Sequence, residues 1–131
     1  MSQENVEVVR GQFEAVNRKD FAAAMSAYAE DVELVVPEGV RAGTFRGKQA
    51  VGDWFGDWFR TFGSARFELL ETIDAGDAVV IVARHTAEGK LSGLQLTDNF
   101  FYAYWVRNGK VARVRFCETR DEALEAAGLS K

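Results

Sequence analysis

The hydrophobic period of this chain changes along its length, and the change limits the folds open to it. Val6, Val9, Phe13 and Val16 recur at intervals of three and four, one apolar stripe of an amphipathic helix. Ser2 is a candidate N-cap, and Glu4 and Glu7 suit the positive end of that helix dipole. Asp20 can cap a second, short helix that buries Phe21, Ala24, Met25 and Tyr28. Val32, Leu34 and Val36 then alternate until Pro37 ends the run, as in a half-buried strand. Helical spacing returns at its strongest in Val51, Trp54, Phe55, Trp58, Phe59 and Phe62, with Asp53, Asp57 and Arg60 on the other side. Gly47 opens this third helix, and Gly63-Ser64 stops it.

Beyond that point the pattern is that of a meander. Strands are predicted over Phe67–Ile73, Ala78–Thr86, about Leu94–Arg107 and Val111–Glu118. The turns between them are Asp74–Asp77, Glu88–Lys90 and Asn108-Gly109, the last a type I′ hairpin signal. Thr119 and Glu122 form a capping box before a terminal helix over 123–127, with Gly128 as its stop. Helices first and an antiparallel sheet afterwards make an α+β fold, with the helices on one sheet face.

The 131 residues are expected to form a single domain, 1–131. A net charge of −4 supplies no basic footprint, so nucleic acid and membrane partners are not expected. Cys117 is the lone cysteine, which rules out an intrachain disulfide. The start of the chain is polar and acidic, without a secretory pattern, and a cytoplasmic location is expected. Phe100–Trp105 is apolar at both parities, so both sheet faces near it should be buried. The helices cover one face, and a second copy of the chain is expected to cover the other, forming a homodimer. Phe100, Tyr102 and Tyr104 are assigned to that dimer face with Arg113, Arg115 and Cys117. Asn99, Phe101, Ala103 and Trp105 are assigned to the helix-covered face with Val79, Ile81, Ala83 and His85.

Four segments carry a family resemblance: Ala29–Glu33, Phe45–Val51, Val106–Val111 and Arg120–Leu129. In their order and spacing the chain resembles the SnoaL-like branch of the nuclear transport factor 2-like fold. The resemblance implies helices packed in the concave face of a curved antiparallel sheet that forms a conical cavity. It also implies a small hydrophobic ligand of polyketide or terpenoid type, without a cofactor. The same superfamily includes cofactor-free isomerases, cyclases and hydrolases as well as non-enzymes. Ketosteroid isomerases place an oxyanion-hole tyrosine, a general-base aspartate and a second aspartate where this chain has Gln12, Val36 and a position close to Phe101. None of the three is kept, so that mechanism is excluded. The Asp–Arg–Asp set of limonene-epoxide-hydrolase-like members falls near His85, Ala83 and Phe116, and it too is absent.

Catalytic candidates are therefore few. His85 is the only histidine and is predicted to project inward near a strand end, either as a proton-transfer group or as a hydrogen-bonded rim residue. Glu118 shares its parity with Phe116, either as a desolvated acid–base group or as a solvated strand-end carboxylate. Gln12, Val36, Trp54, Trp58, Asn99, Phe101 and Phe116 are candidate ligand contacts on the cavity wall. Arg41–Arg46 reads as a basic loop near its mouth. No metal, phosphate-cradle or nucleophile-elbow motif is present. A second reading makes the chain a non-catalytic binding or dimerisation module whose own aromatic rings fill the cone.

Overall fold

The computed structural model describes residues 2–39, 41–89 and 95–129. In chain order the elements are α1 (Ser2–Asn17), α2 (Phe21–Ser26), β1 (Tyr28–Val36), β2 (Gly43–Arg46), α3 (Lys48–Thr61), β3 (Phe62–Asp74), β4 (Ala78–Gly89), β5 (Gln95–Arg107), β6 (Lys110–Cys117) and α4 (Arg120–Ala126). The strands form one curved, unclosed sheet in the order β2-β1-β6-β5-β4-β3. Every pairing is antiparallel except β1 with β6, which run parallel with Leu34 beside Val114. No hairpin constrains that pair, because β2, α3 and the whole meander intervene between the two strands.

Local chemistry sets most element boundaries. The Asp20 carboxylate accepts from the Ala23 amide at 3.1 Å and starts α2. That helix ends at Ser26, so Tyr28 opens β1 instead of closing the helix as expected. Thr119 accepts from the Glu122 amide at 3.1 Å, while the Glu122 carboxylate reaches back one residue further than a capping box requires, to the Glu118 amide. Gly128 has φ 88°, and the amides of Gly128 and Leu129 donate to the Glu125 and Leu124 carbonyls. These two bonds form a Schellman stop. Asn108 and Gly109 both have positive φ, 52° and 75°, as the type I′ turn demands.

The segment expected as a basic loop contains β2. Leu34 pairs with Phe45 and Glu33 with Arg46, whose guanidinium meets the Glu33 carboxylate at 2.9 Å. Arg41 is also committed. It donates to the Trp54 carbonyl and accepts the Trp54 indole N–H, both at 3.1 Å, which ties the β1–β2 loop to α3.

At the other sheet edge, β3 is covered by α1. The Asn17 amide nitrogen donates to the Phe67 carbonyl at 2.7 Å, and its oxygen accepts the Phe67 N–H at 2.8 Å. One side chain thus replaces a neighbouring strand at that position and satisfies two backbone groups of an edge strand. Val6, Val9 and Phe13 are buried as the helical stripe predicts.

The face assignment on β5 is reversed from the sequence expectation. Val79 stands opposite Tyr104, Ile81 opposite Tyr102 and Ala83 opposite Phe100. Directly opposite residues share a sheet face, so odd-numbered residues of β4 lie with even-numbered residues of β5. Phe100, Tyr102 and Tyr104 therefore face the helices. Phe101, Ala103 and Trp105 face outward with Val80, Val82, Arg113, Arg115 and Cys117. The expected Glu88–Lys90 turn is overturned in part: Glu88 and Gly89 still belong to β4, with Glu88 opposite Gln95 of β5 and Gly89 opposite Phe62 of β3, while Lys90 and Leu94 lie outside the described residues. Part of the outward face is covered by α4, which buries Ala123 and is anchored by a bidentate Arg120–Glu71 pair at 2.9–3.2 Å.

Candidate functional site

Between α1, α2, α3 and the concave sheet face lies a cavity of about 410 Å³. Its walls are aromatic and aliphatic. Phe13 and Val16 come from α1, Phe21 and Met25 from α2, Phe55 and Phe59 from α3. Phe21, 42 % exposed, and Arg60 on the last turn of α3 stand where the cavity meets solvent. Arg60 is held there by its ion pair with Asp57.

Two glycines give the cavity its room on the α3 side. Gly52 and Gly56 lie one turn apart and both line it. A methyl group at Gly52 would come within 2.7 Å of Met25 Cε, so the end of that flexible side chain occupies the space a Cβ would take. A methyl group at Gly56 would meet only Arg60, at 3.7 Å, and the space beyond it belongs to the cavity.

The polar groups on the wall are Gln12, Tyr28, Tyr102, Tyr104 and the rim guanidinium of Arg60; no carboxylate, imidazole or thiol is among the described lining residues. The chain has three tyrosines, and all three are here. Burial holds each phenol well above the ordinary tyrosine range. Tyr28 raises both Tyr102 and Tyr104, and Tyr102 raises Tyr104 further. The Gln12 amide works against that shift at Tyr28. Gln12 itself is 5 % exposed and donates through Nε2 to the Ala24 carbonyl at 3.0 Å; its Oε1 has no hydrogen-bonding partner among the described residues.

Of the residues singled out from sequence, Gln12 lines the cavity. Val36 is buried in the core and does not line the cavity. Trp54 is core, locked to Arg41 and packed edge-on against Phe116 at 5.3 Å. Phe116 also meets Tyr102 at 4.9 Å, so it supports the cavity wall from behind. Trp58, Phe67 and Phe100 surround His85, with ring-centroid distances of 4.7, 4.9 and 5.0 Å. The imidazole lies nearly parallel to Phe100 and is 2 % exposed. Burial lowers its pKa, and the nearby Asp98 charge opposes that shift. His85 does not line the cavity.

Glu118 is exposed, and its pKa is raised first by the Glu38 carboxylate and then by slight desolvation and Glu122. The structure does not bring His85 and Glu118 into one site: aromatic rings enclose the first, and carboxylates surround the second. Asn99 is exposed, and Phe101 lies on the outward face, because of the reversed β5 register. Among the described residues no group of three His, Cys, Asp or Glu side chains is placed to hold a metal ion.

Sequence reasoning missed the tyrosines as cavity residues, along with the two glycines. The signal for Gly52 and Gly56 was available, since two glycines inside one helix cost about 1 kcal/mol each relative to alanine. A cost of that kind points to a close approach or a needed void.

The geometry and the sequence comparisons agree. A family model described as a SnoaL-like domain matches residues 9–114, and the chain belongs to that family. No curated protein sequence matches it. Among solved structures, TerC co-crystallised with polyporic acid is 24 % identical with a TM-score of 0.78, over 95 % of this chain and 98 % of that one. Bal32a from a soil-derived mobile gene cassette is 26 % identical with a TM-score of 0.79, over 88 % and 89 %. Rv0760c from Mycobacterium tuberculosis, in complex with estradiol-17β-hemisuccinate, is 18 % identical with a TM-score of 0.77, over 91 % and 96 %. These likenesses place the chain in the nuclear transport factor 2-like cone fold.

Proposed function

We propose that the protein binds one small, largely hydrophobic molecule inside the cone. The observation that carries this reading is the 410 Å³ aromatic-lined cavity itself, which the protein's own rings leave open. It runs from solvent at Phe21 and Arg60 to buried hydroxyls, a shape suited to an apolar body with a few polar atoms. Relatives of the same fold point the same way, since TerC was co-crystallised with polyporic acid and Rv0760c with an estradiol ester. Acid–base catalysis through His85 and Glu118 would need both groups to reach one bound molecule, and neither lines the cavity. Binding is therefore the reading favoured over proton transfer.

A neutral, environment-sensitive fluorophore such as N-phenyl-1-naphthylamine tests it. Saturable binding of one probe per chain is expected. Gly56→Leu should abolish the binding by filling the void. The substitution should also leave thermal stability unchanged or raise it, because leucine favours a helix interior over glycine by up to about 1 kcal/mol. Absence of saturable binding, or unchanged binding by Gly56→Leu, would refute the assignment.

A further inference from the structure

We infer that the cavity selects ligands carrying a neutral hydrogen-bond donor, an O–H or N–H group, and that the side-chain oxygen of Gln12 is the group that reads it. This inference rests on the cavity being a binding site, and it adds the chemical class of the occupant. It departs from the family resemblance. Ketosteroid isomerases place an oxyanion-hole tyrosine at this position, a donor to a ligand oxygen, whereas the free end of Gln12 is an acceptor. The polarity of the contact is reversed.

Gln12 lies on the buried side of α1, 5 % exposed, and lines the cavity. Its amide has one orientation open to it. The Ala24 carbonyl, 3.0 Å away, has no hydrogen to give, so the NH2 end must face it and Oε1 must be the other end. Oε1 is buried and has no hydrogen-bond partner among the described residues. A buried oxygen left in that state costs about 1–3 kcal/mol. The Nε2 bond does not account for the residue, since the Ala27 amide already donates to the Ala24 carbonyl at 3.3 Å. Methionine would fill the same space beside Val9 and Phe13 without the cost. A donor brought by the ligand completes what the protein leaves open.

The rest of the wall decides what that donor is. An ammonium group would enter a cavity with no carboxylate among its described lining residues, and its charge would go uncompensated. A carboxylate or a ketone has no hydrogen to offer Oε1. A hydrocarbon leaves the oxygen buried and unpaired. A neutral alcohol, phenol or N–H group meets the acceptor on an apolar body of the kind that Phe13, Val16 and Met25 favour.

Two pairs of probes test this, and in each pair a methyl group replaces the donor hydrogen: 2-naphthol with 2-methoxynaphthalene, and carbazole with N-methylcarbazole. Dissociation constants are measured for the wild type and for Gln12→Met, with circular dichroism confirming the fold of each. At least one donor probe should bind about tenfold more weakly to Gln12→Met, as expected for one lost hydrogen bond in a dry site. Its methylated counterpart should bind equally or more tightly. A second readout needs no variant. In NMR spectra of the wild type, the side-chain carbonyl carbon of Gln12 should lie further downfield with the donor probe bound than with its methylated counterpart. The same carbon position with both members of each pair, or equal effects of Gln12→Met on both, would overturn the inference while leaving the binding cavity in place. Failure of the wild type to bind any of the four probes would overturn both readings.

Discussion

Raising the pH past about 10 should destabilise this protein in proportion to its buried phenols. In the unfolded chain a tyrosine ionises with a pKa of about 10. In the folded chain Tyr28, Tyr102 and Tyr104 all titrate well above that, chiefly because burial penalises the phenolate. The unfolded state therefore binds fewer protons than the native state once the pH exceeds the ordinary tyrosine range, and stability must fall as the pH rises. Stability linked to these groups is fully present below that range. At about pH 11 each group favours the unfolded chain by about 1.4 kcal/mol, so the three together contribute about 4 kcal/mol. That is a large fraction of the roughly 5–15 kcal/mol by which a domain of this kind is stable. Urea denaturation followed by circular dichroism between about pH 8 and about pH 11 measures the loss. Tyr102→Phe should remove about a third of the tyrosine-linked part of the loss, and phenylalanine at all three positions should remove nearly all of that part. Burial also pushes the Cys117 thiol up, but its contribution is common to the wild type and the variants and cancels in the difference. Tyrosinate absorbance should appear only as the protein unfolds. If tyrosinate instead forms with a midpoint near pH 10 while the circular dichroism stays native, the phenols are solvated and the account of the cavity's polar wall is wrong.

Other perturbations should read out the remaining contacts. His85→Ala leaves a void between Trp58, Phe67 and Phe100 and should cost about 3 kcal/mol in urea denaturation; an unchanged midpoint would contradict a packing role. Because burial lowers the His85 pKa, native stability should decline as the pH falls through the ordinary imidazole range, and His85→Phe should flatten that acid limb. Asn17→Ala removes both bonds to the Phe67 backbone and should cost about 2 kcal/mol, with faster amide exchange at Phe67. Glu118→Gln relieves repulsion from Glu38 and Glu122, so it should stabilise the protein at neutral pH. Protonation of the wild-type carboxylate should close that gap below the usual glutamate range, and a gap independent of pH would refute the crowding.

The site was less legible than the fold because the two rest on different kinds of information. Gln12 emerged through family resemblance and does line the cavity, though as an amide bound to Ala24 and not as part of an inherited catalytic set. The aromatic stripe of α3 was visible, but its division was not. Trp54 and Trp58 pack into the core and around His85, while Phe55 and Phe59 face the void beside two glycines. A helical stripe shows which side is buried and says nothing of where the opposite wall stands off. Phe62 contributes backbone to β3, and its side chain lies outside the described residues.

By itself, the sequence determined what short-range chemistry can decide. Asp20 and Thr119 cap their helices, Gly128 ends α4, Asn108-Gly109 turns a hairpin, and the change of hydrophobic period separates helices from sheet. Each of these depends on neighbours a few residues away, which the chain carries with it. Tertiary structure alone decided which face of β5 turns inward, because alternation identifies two faces without saying which is which, and the pairing with β4 makes the choice. That choice moved Tyr102 and Tyr104 from an expected dimer contact into the wall of the cavity. A shift of one residue in the ladder separates the two arrangements, and with them a surface patch from a binding site.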